Sequence, residues 1–220
     1  MNIAAYIDHT LLKPTTTAEE ILHLCEEAKQ EQFAAVCVPP LYARIAHEFL
    51  TGSPVKTATV IGFPFGYNAI EAKVAEVVLA LVDDADELDM VINLAALKSG
   101  DWHYLEEEIS HIMPLVLKKK KILKVIIESG ILSDEEIIRC CELYARHQVH
   151  FLKTSTGYAE KGASVEAVKL MREHLPENIR IKASGGIRTF AFAKALIDAG
   201  ADRLGCSAGL AIVVQSKNEP

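Results

Sequence analysis

The chain has no apolar run approaching the roughly 20 residues that span a bilayer. Its longest, residues 77–82 and 210–214, are far shorter, so no membrane span is expected. Asp8, His9 and Lys13 stand where an export signal would hold its apolar stretch, which points to a cytoplasmic protein without a cleaved signal. Positive charge is also scarce. Lysine and arginine number 23 against 30 acidic residues, a net charge of −7, which gives no reason to expect nucleic acid or anionic membrane as a partner. The one basic run, residues 118–121, follows a helix predicted from Asp101, so it reads as a solvated helix end complementing the macrodipole.

Five cysteines without CxxC spacing exclude a disulfide framework and a zinc knuckle, and leave reduced thiols as the reading. Eight histidines include no HxH or HExxH pattern, which argues against a metal site. The closest pair, His147 and His150, precedes the sixth predicted strand and reads as structural or solvent-facing. Aromatic residues are few, at 6%, and form no stacking pattern, so packing is their expected role. No Pro/Gly/Ser-rich linker divides the chain, so residues 1–214 are expected to form one domain, followed by a polar, fraying tail at 215–220.

Half of the 220 residues are hydrophobic, enough for a substantial core. Eight short β-rich runs fall at 5–10, 33–38, 57–62, 87–93, 122–128, 150–154, 179–184 and 203–207, the first being short and polar in character. Between them lie helical stretches with clear punctuation. Thr17 with Glu20 and Ser133 with Glu136 form capping-box patterns, and Gly200 follows a helical run from Phe190 to Ala199. Strands separated by helices run parallel, and eight such units close into an α/β fold of the single (β/α)8 TIM-barrel type.

Side chains alternate along a strand. In the fourth, Leu88, Met90 and Ile92 face the helices, while Glu87, Asp89, Val91 and Asn93 face inward. The same parity turns Lys124, Ile126 and Glu128 inward on the fifth strand and Arg180, Lys182 and Ser184 on the seventh; Phe151, Lys153 and Ser155 share one face of the sixth. Charges buried in a barrel need partners. A set of purely structural ion pairs is one reading, but Asp89, Lys153 and Lys182 fall near the C-terminal strand ends, where catalytic residues of this fold sit. Two lysines near a carboxylate suit covalent carbonyl chemistry, because burial and a neighbouring ammonium free an amine to attack an aldehyde. Parity alone does not say which lysine attacks.

Glycine-rich turns follow the last two strands, Gly185 and Gly186 in one and Gly205 with Ser207 in the other, and their paired location suits a phosphate. The second turn, GCSAG, lacks the triad that a nucleophile elbow needs. Cys37 has no evident base and reads as a buried apolar thiol.

The strings IDHTLLKP at 7–14, CVPP at 37–40, ELDMVIN at 87–93, LKVIIE at 123–128, FLKTSTG at 151–157 and KASGGIR at 182–188 resemble the deoxyribose-phosphate aldolase family, in order and through nearly the whole chain. That resemblance implies Lys153 as the imine-forming lysine, with Lys182 and Asp89 handling protons. It also implies cleavage of a phosphorylated sugar, 2-deoxy-D-ribose 5-phosphate, with no metal or organic cofactor. Gly185, Gly186, Gly205 and Ser207 would hold the phosphate, and the resemblance also implies a homodimer. Two features depart from the family pattern: Ala208 stands where some relatives have a second serine, and TGYAEKGAS at 156–164 is less glycine-rich. Lys161 in that stretch reads as an exposed lysine. Another Schiff-base aldolase of this fold, or a non-catalytic phosphosugar-binding barrel, are the rival readings; only an aldolase forms a covalent imine.

Overall fold

The computed structural model describes residues 1–218. Eight parallel strands form a closed barrel: β1 Ile7–Thr10, β2 Ala35–Val38, β3 Lys56–Ile61, β4 Glu87–Val91, β5 Ile122–Ile126, β6 Phe151–Lys153, β7 Arg180–Ser184 and β8 Arg203–Cys206. β8 pairs with β1, Asp8 opposite Gly205, which closes the ring. The outer layer is built from α1 Ala18–Glu31, α2 Ala43–Leu50, α3 Ile70–Val82, α4 Leu94–Lys98, α5 Trp102–Lys118, α6 Asp134–Arg146, α7 Val165–His174, α8 Phe190–Asp198 and α9 Gly209–Asn218. None is long and apolar enough to cross a membrane.

Both capping boxes form, Thr17 with Glu20 at α1 and Ser133 with Glu136 at α6, each satisfying two otherwise orphaned backbone donors. Asp101 caps α5, whose last residue is Lys118; Lys121 then reaches Asp86 at 3.0 Å, so the basic run is used locally. His150 accepts the Leu123 N–H at 3.1 Å, a structural role at the strands' N-terminal ends.

Strand ends differ from the sequence expectation where side chains compete for the backbone. Residues 3–6 form a 3-10 turn, so β1 starts at Ile7. Asn93 is not an inward strand residue: its side chain accepts the Ala96 N–H at 3.0 Å and starts α4, a local bond that ends β4 early. Glu128 lies beyond β5 with φ of 55°, outside strand geometry. The polar tail is ordered further than expected, because residues 215–218 continue α9 and Gln215 accepts the Phe190 N–H at 2.8 Å. Residues 219–220 of that expected tail lie outside the described residues.

Parity holds. Leu88, Met90, Val125 and Ile181 are completely buried in the layer between barrel and helices, where each contributes about 1.5–3 kcal/mol. The inward face carries small residues, Ala35, Cys37, Ala58 and Gly205, among long charged ones. That alternation leaves room for lysine stems to cross the interior.

One buried pair lies outside the barrel. Lys73 of α3 donates to Glu108 of α5 at 2.6 Å and to the Val91 carbonyl at 2.7 Å, with both side chains wholly buried. It ties two outer helices to the end of β4.

Candidate active site

β4, β5, β6 and β7 each send one long polar side chain to the same point. Asp89 Oδ2 accepts from Lys153 and from Lys182, both at 2.7 Å, while Oδ1 accepts from Lys124 at 2.7 Å. The register sets Asp89 beside Lys124 and Lys153 beside Lys182, with the second pair two residues further along the barrel, since Lys153 stands opposite Ile126. Lys182 donates also to Asp8 Oδ2 at 2.5 Å, and Arg203 joins Asp8 to Glu87 from below, at 2.7 and 2.9 Å. Glu87 in turn holds Lys124 at 2.5 Å.

Among directly paired groups, the cations are Lys124, Lys153, Lys182 and Arg203 and the carboxylates are Asp8, Glu87 and Asp89, four against three. The cluster is neutral when one lysine sheds its proton. Which one follows from the surroundings. Burial lowers the Lys153 pKa and the Lys182 ammonium lowers it further, against the pull of Asp89. Burial would lower Lys182 too, but Asp8 and then Asp89 overcome it and hold that lysine above the ordinary range. Burial would raise Asp89; Lys124, Lys153 and Lys182 together keep it well below the usual carboxylate value. An amine poised to deprotonate thus lies beside a carboxylate and an ammonium that keep their charges.

A cavity of about 280 Å³ opens above this cluster. Lys153 lines it, whereas Lys182 and Asp89 lie beneath the surface at 0% exposure. Gly185, Gly186, Gly205 and Ser207, expected from sequence at a phosphate, all line the same cavity. Consecutive φ values of 91° and 78° at Gly185 and Gly186 turn the chain sharply in a region side-chain-bearing residues avoid. Gly205 serves a different need: a Cβ there would stand 2.9 Å from Lys182 Cε, so its bare backbone makes space for that lysine. Ser207 precedes the start of α9, whose free N–H groups favour an anion.

Sequence reasoning missed several contributors. Lys13 and Arg188 line the cavity as well and supply cationic charge; both lay inside motifs quoted for other residues. Asp8 and Arg203 complete the ion network. Tyr158 and Glu128 shape the loop after β6: Thr156 donates its N–H at 3.2 Å and its hydroxyl at 2.5 Å to Glu128. Cys37 is buried on the inward face, with burial and then Asp89 raising its thiol pKa, as an inert thiol requires. Lys161 is exposed.

A family model described as DeoC/LacD family aldolase matches residues 2–215. The chain belongs to that family. Among DeoC/LacD relatives, the deoxyribose-phosphate aldolase of Caldanaerobacter subterraneus subsp. tengcongensis is 50% identical over 220 residues, covering 100% of this chain and 95% of the relative. That of Thermococcus gammatolerans is 49% identical, covering 99% and 98%. The solved structure of the tetrameric deoxyribose phosphate aldolase from Aeropyrum pernix superposes with a TM-score of 0.91 at 31% identity, covering 98% of this chain and 91% of that one.

Proposed function

We propose that this DeoC/LacD aldolase reversibly cleaves 2-deoxy-D-ribose 5-phosphate into D-glyceraldehyde 3-phosphate and acetaldehyde through an imine on Lys153. One observation carries the reading: two lysines share Asp89 Oδ2 at 2.7 Å, and only Lys153 of the three reaches the cavity. The family membership and the substrate named for relatives at 50% identity support the same conclusion.

The Lys153 amine adds to the C1 aldehyde and water leaves. Imine formation draws that nitrogen into the sugar and relieves Asp89 Oδ2 of one of its two donors. Asp89, through a water and with Lys182 beside it, then takes the C3 hydroxyl proton as the C2–C3 bond breaks. Electrons from that bond flow into the protonated imine, so the step needs neither metal nor organic cofactor. Gly185, Gly186, Gly205 and Ser207 hold the phosphate and fix C1 at the lysine.

Borohydride reduction in the presence of substrate, followed by peptide mass spectrometry, tests this. We expect an adduct on the Lys153 peptide that disappears in Lys153→Met. Trapping at Lys182 alone reverses the roles, and stabilisation by ligand without any adduct favours a non-catalytic phosphosugar-binding barrel. A panel of phosphorylated aldehydes and ketoses separates this substrate from that of another Schiff-base aldolase.

The same reading includes self-association as a homodimer, to be checked by mass in solution, and residence in the cytoplasm. Five free, buried cysteines suit that reducing compartment.

A further inference from the structure

Two cavities of about 280 Å³ each lie side by side at the barrel mouth. The first is the polar one that contains Lys153. The second is of opposite character, walled by Pro14, Pro39, Pro40 and Pro64 with Val60 and Phe63. Proline has no backbone N–H, and the remaining side chains are hydrocarbon apart from the Tyr158 hydroxyl, which is engaged with the Leu12 carbonyl. A phosphate or polyol entering there would find few groups to replace its bonds to water, whereas an alkyl or aryl group would be favoured. The chamber is also close to the chemistry, since Val60 on β3 is the register partner of Asp89 on β4.

Leu12 and Tyr158 line both cavities. Tyr158 is half exposed, yet it is fixed from several directions. Its hydroxyl donates to the Leu12 carbonyl at 2.8 Å, and its ring meets Phe63 edge-on with centroids 5.5 Å apart. Its N–H donates to the Thr156 hydroxyl oxygen at 3.0 Å, and that hydroxyl is anchored on buried Glu128. A chain of contacts therefore runs from the end of β5, through the loop after β6, to the loop after β1. The ring at its centre stands as a panel between a polar and an apolar chamber.

We propose that the apolar chamber is a latent second subsite of the same active centre, with the chemistry to take the alkyl or aryl substituent of an aldehyde, and that Tyr158 is the specificity-determining wall that shuts it off from the phosphate side in the native protein. This rests on the aldolase reading. With the wall in place, the polar chamber selects phosphorylated substrates; without it, an imine at Lys153 can extend an apolar chain into the proline-lined space.

The test uses straight-chain aldehydes from propanal to hexanal beside 2-deoxyribose 5-phosphate, with native protein, Tyr158→Phe and Tyr158→Ala. Each adduct joins Lys153 Nζ to the carbonyl carbon with loss of one water, and borohydride then delivers hydride to that carbon. In Tyr158→Ala, trapping should strengthen up to about fourfold per added methylene, and preference for hexanal over the sugar phosphate should rise at least about tenfold. Tyr158→Phe, which keeps the ring and loses the bond to Leu12, should fall between. Identical chain-length dependence in native protein and Tyr158→Ala overturns the wall, and no chain-length dependence in any of the three overturns the subsite. Should Tyr158→Ala fail to fold, Phe63→Ala, which removes the ring's edge contact, is read by the same criteria. Native protein that yields no adduct even with the sugar phosphate counts against the aldolase reading, and the proposal then falls with it.

Discussion

Asp8 and Lys182, 174 residues apart along the chain, meet at 2.5 Å inside the barrel. Asp8 is the first of the charges that hold Lys182 protonated, so it governs the ammonium that depresses the Lys153 pKa. Asp8→Asn should lower kcat roughly a hundredfold by releasing Lys182 from its place, with KM for the phosphorylated sugar little changed. Steady-state kinetics decide between this and a binding role, in which KM would rise while kcat held.

Lys182→Met removes the neighbouring ammonium outright. A depressed pKa makes free amine available at lower pH; without that ammonium the Lys153 pKa moves back up and the amine is withdrawn. The acid limb of imine formation should therefore shift to higher pH, with a loss at neutral pH of about a hundredfold or more. Rates of borohydride trapping across pH measure this, and a limb that stays put or moves to lower pH contradicts the role given to Lys182.

Arg188 lines the cavity just beyond the Gly185 and Gly186 turn. Losing one charge-assisted bond to phosphate should raise KM for the phosphorylated sugar in Arg188→Met by about tenfold to a hundredfold. Turnover of unphosphorylated 2-deoxyribose should be unaffected. An equal loss on both substrates would mean that Arg188 does not contact the phosphate.

Far from the cavity, Lys73→Met strands the Glu108 carboxyl without its cation in a wholly buried position. The expected destabilisation is about 3–5 kcal/mol, while Lys73→Met with Glu108→Leu should recover most of it, because two apolar chains leave no charge unpaired. Denaturant unfolding of the single and double variants checks this, and a double variant no more stable than the single would show that packing, not charge, dominates.

Period-two alternation makes much of the site legible in the amino-acid order itself. Asp89, Lys124 and Lys182 sit on strands, and a strand fixes which neighbours point the same way. Choosing between Lys153 and Lys182 needs something alternation does not encode, namely that one reaches the cavity and the other lies beneath it. Asp8 escapes notice because β1 is only four residues long and its partners stand on β7 and β8, at the other end of the chain. Tyr158 sits in a loop without periodicity, where role depends on contacts with Leu12 and Phe63. Nothing in the amino-acid order singles out Lys73 and Glu108, since only packing of α3 on α5 buries them. The end of β4 falls short of its apolar run because Asn93 serves the helix that follows it rather than the strand that precedes it.

The seam between β1 and β8 makes the site a property of the closed ring. Asp8 lies near the start of the chain and Lys182 near its end, and β8 stands between their two strands. The charge that holds Lys182 therefore depends on the last strand being in place, and fragments lacking it should show no fractional turnover.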